Sequence, residues 1–295
     1  MVVKKHLKDT STNTLLLLGR MGEGKSTICN RIAGKEANSD AFPTSSETGT
    51  CTMSSTFAEI TLGDSGKKFS IIDTPGFDGI NQEVELKTMA GIIEKLKNNC
   101  NQFHLFGLVI NGQSPRLDSL KLMLKTFENT FSEALWKQCV LIFTKIRMDN
   151  KSKSMRQDQN KLTDENWADN YVKGLSKMFG IGKVQHVFID AHFDEEDPIQ
   201  CEQFHKAVEK LYSVLRSSPA MQTSTLVQRM DDENPALHMA IADIERVSQL
   251  EEPKAAENTS HKSRHRATSD QEQSEWKGKV KNPSKRAPRI KPYNL

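Results

Sequence analysis

The chain has little from which to build a disulfide or metal framework. Its five cysteines, Cys29, Cys51, Cys100, Cys139 and Cys201, are scattered and odd in number, with no CxxC pair. That argues against structural disulfides and a cysteine zinc site, and it fits a reducing cytosol. Long apolar runs are also missing. None approaches the roughly 18 residues of a membrane-spanning helix. The opening MVVKKHLKDTSTNT lacks the apolar centre of a signal peptide. Val2 excludes glycine-dependent myristoylation, and the closing PYNL carries no prenylation cysteine. A large charge imbalance is absent too. The net +3 over 295 residues is too small to argue for a nucleic-acid partner.

Apolar residues make up 36% of the chain, which is low for a wholly globular protein. The deficit is concentrated at the end. Between residues 253 and 295, eleven Lys/Arg stand against four Asp/Glu, about +7, and Trp276, Val280, Ile290 and Tyr293 are nearly the only large apolar groups. Such a segment buries too little surface to offset the entropy of ordering, so a disordered basic tail is expected. Its run KGKVKNPSKRAPRIK matches nuclear-import and nucleic-acid patterns weakly. It also offers a docking segment for proteins or for anionic membrane surfaces. Sparse aromatics and scattered acids favour a plain solubilising extension.

Ahead of the tail, short apolar runs alternate with helix-like stretches. Strands are expected at Thr14 to Leu18, 54 to 62, Lys68 to Asp73, Leu105 to Ile110, Cys139 to Phe143 and His186 to Ile189. Helices are expected at Lys25 to Ala33, Glu83 to Leu96, 116 to 131, Trp167 to Met178 and Ile199 to Leu215. This alternation implies a three-layer α/β domain around a mostly parallel sheet. Continuous apolar strands agree, because a central parallel strand is buried on both faces. The expected organisation is an arm (1–12), one domain (13–218), a linker with an amphipathic helix marked by Leu237, Ile241, Ile244, Val247 and Leu250 (219–252), and the tail (253–295).

The stretch TLLLLGRMGEGKSTICNRI places Gly19-x4-Gly24-Lys25-Ser26 between an apolar strand and a helix. That is the context a phosphate-gripping loop requires. Glycines let the backbone curl and aim N–H groups at phosphate oxygens. The helix N-terminus adds a favourable dipole. Lys25 neutralises phosphate charge, and the Ser26 hydroxyl can ligate Mg²⁺. Gly19, Arg20, Met21, Gly22, Glu23, Gly24, Lys25, Ser26 and Thr27 are therefore candidate nucleotide contacts.

A second motif follows about fifty residues on. Ile71-Ile72-Asp73-Thr74-Pro75-Gly76 is an apolar strand that ends in an acid and a turn. Asp73 can hold the metal from the other side, and the Gly76 N–H can approach a γ-phosphate. Between the two motifs, FPTSSETGTCT is hydroxyl-rich and aperiodic, hence a loop. Thr48 and Thr50 within it are candidates to close on the metal and the terminal phosphate.

The order GRMGEGKSTICN, SSETGTC, FSIIDTPGFDG, FGLVINGQSPR and VLIFTK resembles the AIG-type GTPases, the immunity-associated nucleotide-binding (IAN, GIMAP) proteins, septin-like relatives of Ras-type switches. The resemblance covers roughly residues 12 to 215. Its family-specific part is LFGLVINGQSPRLDSLKLMLKTFENTF, which looks like the helix-bearing insert of that family. It implies a Ras-like G domain, GTP/GDP and Mg²⁺ binding, and regulation by nucleotide-dependent self-association. By motif position it implies Gly24, Lys25 and Ser26 as phosphate and metal contacts. It places Thr48 in the first switch (with Ser46 and Cys51), and Asp73 and Gly76 in the second.

Two departures from Ras-type patterns stand out. A guanine-reading NKxD would end in an acid that accepts base protons. Here the strand runs into Thr144-Lys145-Ile146-Arg147-Met148-Asp149, and an arginine accepts none. Asp149 and Asp190 (in Phe188-Ile189-Asp190-Ala191) are the alternative acceptors, while Lys145 can lay its stem over a base. ATP therefore stays open beside GTP. A water-orienting glutamine would follow TPG, but Phe77 stands there, with acidic Asp78 next to it as a weak catalytic candidate. Slow hydrolysis by the monomer is expected, with a partner supplying the missing group; Arg20 and the histidines are possible donors. The competing readings are a P-loop ATPase or kinase, and a non-hydrolysing nucleotide-bound scaffold.

Other features read as structural. Met123, Phe127 and Phe131 have core spacing, His186 and His192 stand near a strand end, and Asp194-Glu195-Glu196-Asp197 before Pro198 suits a helix start better than a calcium site.

Overall fold

A computed structural model describes residues 12–44, 55–62, 67–77, 81–113, 117–131, 133–224, 236–237 and 239–242. The elements run β1 (Thr14–Gly19), α1 (Lys25–Ile32), β2 (Thr56–Leu62), β3 (Lys67–Asp73), α2 (Gln82–Asn99), β4 (Gln102–Phe103), β5 (Leu105–Asn111) and α3 (Leu117–Phe131). They continue with α4 (Glu133–Lys137), β6 (Cys139–Thr144), α5 (Asn150–Asn160), α6 (Asp164–Phe179), β7 (Gln185–Phe188), α7 (Pro198–Ser217) and β8 (Met221–Gln222).

Six strands form one sheet in the order β2-β3-β1-β5-β6-β7. Only β2 is antiparallel, pairing with β3. The β1–β3, β1–β5, β5–β6 and β6–β7 pairs are all parallel. The three-layer, mostly parallel α/β architecture expected from the sequence is thus the one observed. β1 is buried at every position, as a central parallel strand should be. Its residues alternate between two cores. Leu16 and Leu18 join Ile93, Phe106 and Phe127 on the face covered by α2, α3 and α6. Leu15 and Leu17 join Ile28, Val208 and Leu211 on the face covered by α1 and α7.

This order creates the functional crevice. The chain leaves β1 toward β3 on one side and later toward β5 on the other. Ligands of open α/β sheets bind outside the strand ends where the winding reverses, here beyond Gly19.

Helix starts follow local chemistry. Asn81, Asp149, Thr163 and Asp197 accept from backbone N–H groups of Glu83, Ser152, Asn166 and Ile199, capping α2, α5, α6 and α7. Such caps each contribute about 1 kcal/mol. The acidic run at 194–197 serves that purpose. Asp197 caps α7, Asp194 turns back on the N–H of Glu196, and Glu195 pairs with Arg31. Among the described residues no cluster of His, Cys, Asp or Glu is placed to hold a metal. Met123, Phe127 and Phe131 are core, as expected. Cys29, Cys100, Cys139 and Cys201 are free thiols.

Several parts of the chain depart from the expected outline, the short α4 and β4 among them. α5 was not foreseen, because it buries no residue and so has no apolar period to read. Packing also continues past the boundary expected near residue 218. β8 pairs with β4, and Leu237 and Ile241 are buried in the same core as Phe103. Isolated short helices are marginal, and this one gains a packing surface. The remainder of the expected helix, the N-terminal arm and the basic tail lie outside the described residues. Among the described residues no helix is long and apolar enough to cross a membrane.

Candidate functional site

The crevice is lined first by the loop between β1 and α1. Gly22 and Gly24 have φ of 75° and 93°, conformations that side-chain-bearing residues rarely adopt. Gly24 opens α1 with no side-chain cap, the kind of helix start at which anions bind. Met21 at the loop tip is exposed, and Thr27 sits half-buried in the first turn of α1. The loop's back is tied to β6, where the Thr144 hydroxyl donates to the Glu23 carbonyl at 2.6 Å.

Lys25 is buried, and its Nζ donates to the carbonyls of Gly19 and Arg20 at 3.1 and 2.9 Å. Burial pulls its pKa down to about 8, against the opposing pull of Asp73 and Glu23. Ser26 Oγ donates to Asp73 Oδ2 at 2.7 Å, joining the two motifs across 47 residues of sequence. Asp73 is fully buried at the end of β3. Burial pushes its carboxyl up to about 6, although the Ser26 bond and Lys25 both favour the charged form. Among the described residues its Oδ1 is buried with no hydrogen-bond partner. A buried acceptor left open beside a serine hydroxyl and facing a phosphate loop is what a hydrated divalent cation would satisfy, so the donor set fits Mg²⁺.

The turn after β3 lies directly on the loop. Phe77 N–H donates to the Gly19 carbonyl at 3.2 Å, and Met21 N–H donates to the Phe77 carbonyl at 2.9 Å. A Cβ at Gly76 would stand 2.5 Å from Met21 Cα, so glycine is required there by space. Thr74 anchors the turn by donating to the Leu17 carbonyl at 2.6 Å. Phe77 does not face the crevice. It is 1% exposed and meets Phe127 of α3 edge-on at 4.7 Å. Asp78, Ser46, Thr48, Thr50 and Cys51 lie outside the described residues.

The far wall is made by the loops after β6 and β7. Lys145 is exposed, with φ of 57°. Asp149 is occupied as the cap of α5, its Oδ1 accepting from Ser152 N–H at 2.9 Å, and hydrogen bonding to the Ser152 side chain, then to its backbone N–H, holds the carboxyl below the usual range. Asp190 is buried and joins the two loops. Its Oδ2 accepts from Met148 N–H at 3.1 Å and its Oδ1 from His192 N–H at 3.0 Å. Both acids proposed from sequence as base acceptors thus already serve the backbone. Arg147, Asp149 and His192 share the wall of a cavity of about 600 Å³.

Sequence reading missed the clamp behind this wall. Arg156 Nε and Nη2 grip Asp164 at 2.9 and 2.7 Å, and Nη1 donates to the Arg147 carbonyl at 2.7 Å. An eight-residue separation between two helices carries no periodic signal that would have revealed it.

Residues 13–233 match the AIG1 family. The chain belongs to the AIG1 family. The match spans the phosphate loop, the second motif and the segment of α3 on which the resemblance rested, and it extends past α7. No curated protein sequence matches the chain. The fold is similar to a structure of the chloroplast translocon components atToc33 and psToc159, for which dimerization is important for GTPase activity: 18% identity and a TM-score of 0.52, covering 72% of this chain and 86% of that one. It is also similar to Toc33 from Arabidopsis thaliana in complex with GDP and Mg²⁺, at 19% identity and a TM-score of 0.50, covering 73% and 89%. A dimerization-deficient mutant of the same protein matches at 18% identity and 0.50, covering 73% and 89%. These likenesses place the family's chain on a P-loop G-domain fold.

Proposed function

We propose that this AIG1-family chain is a guanine-nucleotide-binding switch. It holds GTP or GDP with Mg²⁺, hydrolyses GTP slowly as a monomer, and is regulated by nucleotide-dependent self-association. The observation that carries the reading is the Ser26–Asp73 hydrogen bond beside buried Lys25, with Asp73 Oδ1 left open. Backbone N–H groups from Gly22 to Ser26 cradle the phosphates, and Lys25 exchanges its two loop carbonyls for phosphate oxygens. Ser26, Asp73 and, from the first switch, Thr48 hold the metal. When bound, Mg²⁺ neutralises charge that develops on the phosphates. Gly76, already against the loop, presents its N–H to a γ-phosphate.

Slow hydrolysis follows from Phe77. The position that would orient water is spent on core packing against Phe127. A second copy of the chain is the proposed source of the missing group, in keeping with the dimerization described for Toc33. The scattered free thiols support a cytosolic setting. Peripheral membrane attachment through the basic tail is a separate proposal that rests on its composition alone.

Turnover of GTP measured against protein concentration tests this reading. Specific activity that rises steeply with concentration supports the dimerising switch. Binding without turnover at any concentration would replace it with a non-hydrolysing scaffold, which the burial of Phe77 also favours. Tight ATP with weak GTP would make it an ATPase.

A further inference from the structure

A 6-oxopurine presents two acceptors, O6 and N7, on one edge, whereas a 6-aminopurine presents a donor where O6 would be. Reading the 6-oxo edge therefore takes hydrogen-bond donors. The groups that line the far wall are unequal in what they have left to give. Thr144 has one hydroxyl proton, committed to the Glu23 carbonyl at 2.6 Å. Each oxygen of Asp190 accepts a backbone N–H. Asp149 caps α5.

Arg147, Lys145 and Lys151 are exposed, and among the described residues their side chains make no hydrogen bond. Of the three only Arg147 carries a planar fork that can meet O6 and N7 together, and its charge also draws on the Asp149 carboxylate. Its backbone is fixed, because the Arg147 carbonyl accepts from Arg156, which two further bonds clamp to Asp164. The next residue, Met148, is fixed by Asp190. A five-proton donor fork thus stands on an immobilised loop, at the wall of a cavity of about 600 Å³ that also includes Asp149 and His192.

We propose that Arg147 is the base-selecting residue, donating its paired N–H groups to O6 and N7 of a 6-oxopurine nucleotide, while Asp149 remains the cap of α5. The proposal rests on the nucleotide-binding reading above and names how that site chooses its base. It inverts the usual logic of an acid that reads N1–H and the 2-amino group. The 2-amino group goes unread, so inosine and guanosine nucleotides bind alike. Adenosine nucleotides are disfavoured because donors meet a donor.

Competition against a ribose-labelled fluorescent GDP tests it, using full-length, nucleotide-stripped protein with Mg²⁺ and unlabelled GDP, IDP and ADP. The expected result is GDP and IDP within about threefold of each other, with ADP weaker by about tenfold or more. In Arg147→Ala, GDP and IDP fall by about tenfold to the level of ADP, and ADP itself does not change. Arg147→Lys, which offers a point charge in place of a fork, recovers only part of the loss. Thermal unfolding of both variants checks that the fold is intact. The proposal is overturned if IDP binds about tenfold weaker than GDP, or if selectivity survives Arg147→Ala and is lost in Asp149→Asn. If no nucleotide displaces the probe and Lys25→Ala changes nothing, the phosphate-loop reading fails first and Arg147 falls with it. Loss of base preference alone leaves phosphate gripping standing.

Discussion

Ser26 Oγ stands 2.7 Å from Asp73 Oδ2, although the two residues come from different motifs and different elements. That bond makes one site out of the phosphate loop and the end of β3. The burial of Asp73 makes that site sensitive to protons.

Asp73 and Lys25 give opposite pH dependences. Burial raises Asp73 from 3.8 to about 6, so the folded empty protein holds this proton more tightly than the unfolded chain. Stability from this group falls as pH rises between 3.8 and about 6, then levels off. Lys25 is lowered from 10.5 to about 8, so the unfolded chain holds more protons in that range and stability from this group rises with pH there. Metal needs the ionised acid and phosphate needs the charged amine. Affinity for Mg·GDP should therefore rise through about pH 6 and fall above about pH 8. Binding isotherms across pH check this. In chelator the acid limb should disappear while the alkaline limb stays.

Phe77 is a structural residue placed where sequence comparison looks for a catalytic one. Its ring is 1% exposed against Phe127. Phe77→Ala should cost about 3–5 kcal/mol in denaturant unfolding. Phe77→Gln should also destabilise, since it buries an amide in an apolar core, and should not accelerate GTP turnover. A glutamine variant that is stable and faster would show that this side chain can swing into the crevice.

The segment after α7 belongs to the core. Leu237 is fully buried among residues that include Phe103. Leu237→Ala should lower stability by about 2–5 kcal/mol. An unchanged unfolding midpoint would mean that these residues only rest on the domain.

Much of this was legible in the sequence, for identifiable reasons. TLLLLG and CVLIFT are central parallel strands, so continuous burial left an unbroken apolar run to read. Gly19-x4-Gly24-Lys25-Ser26 was legible because each residue type answers a local backbone or charge demand. α5 was not, because nothing in it is buried. β4 and β8 have two residues each, too short for any alternation to show. The local role of the base-side acids was hidden for a different reason. Asp149 and Asp190 looked like ligands as isolated acids, and only the closed loops show that they serve the backbone. The same closure fixes the backbone of Arg147, which had looked like a defect, and leaves its guanidinium exposed.

The most direct measurement is a calorimetric titration of Mg·GDP into the stripped full-length protein, beside the Lys25→Ala variant. Saturable one-site binding to the wild type, and its loss in a variant that still folds, is the expected result. Equal binding to both proteins, or none to either, would contradict the assignment of the loop from Gly19 to Ser26 as a phosphate grip.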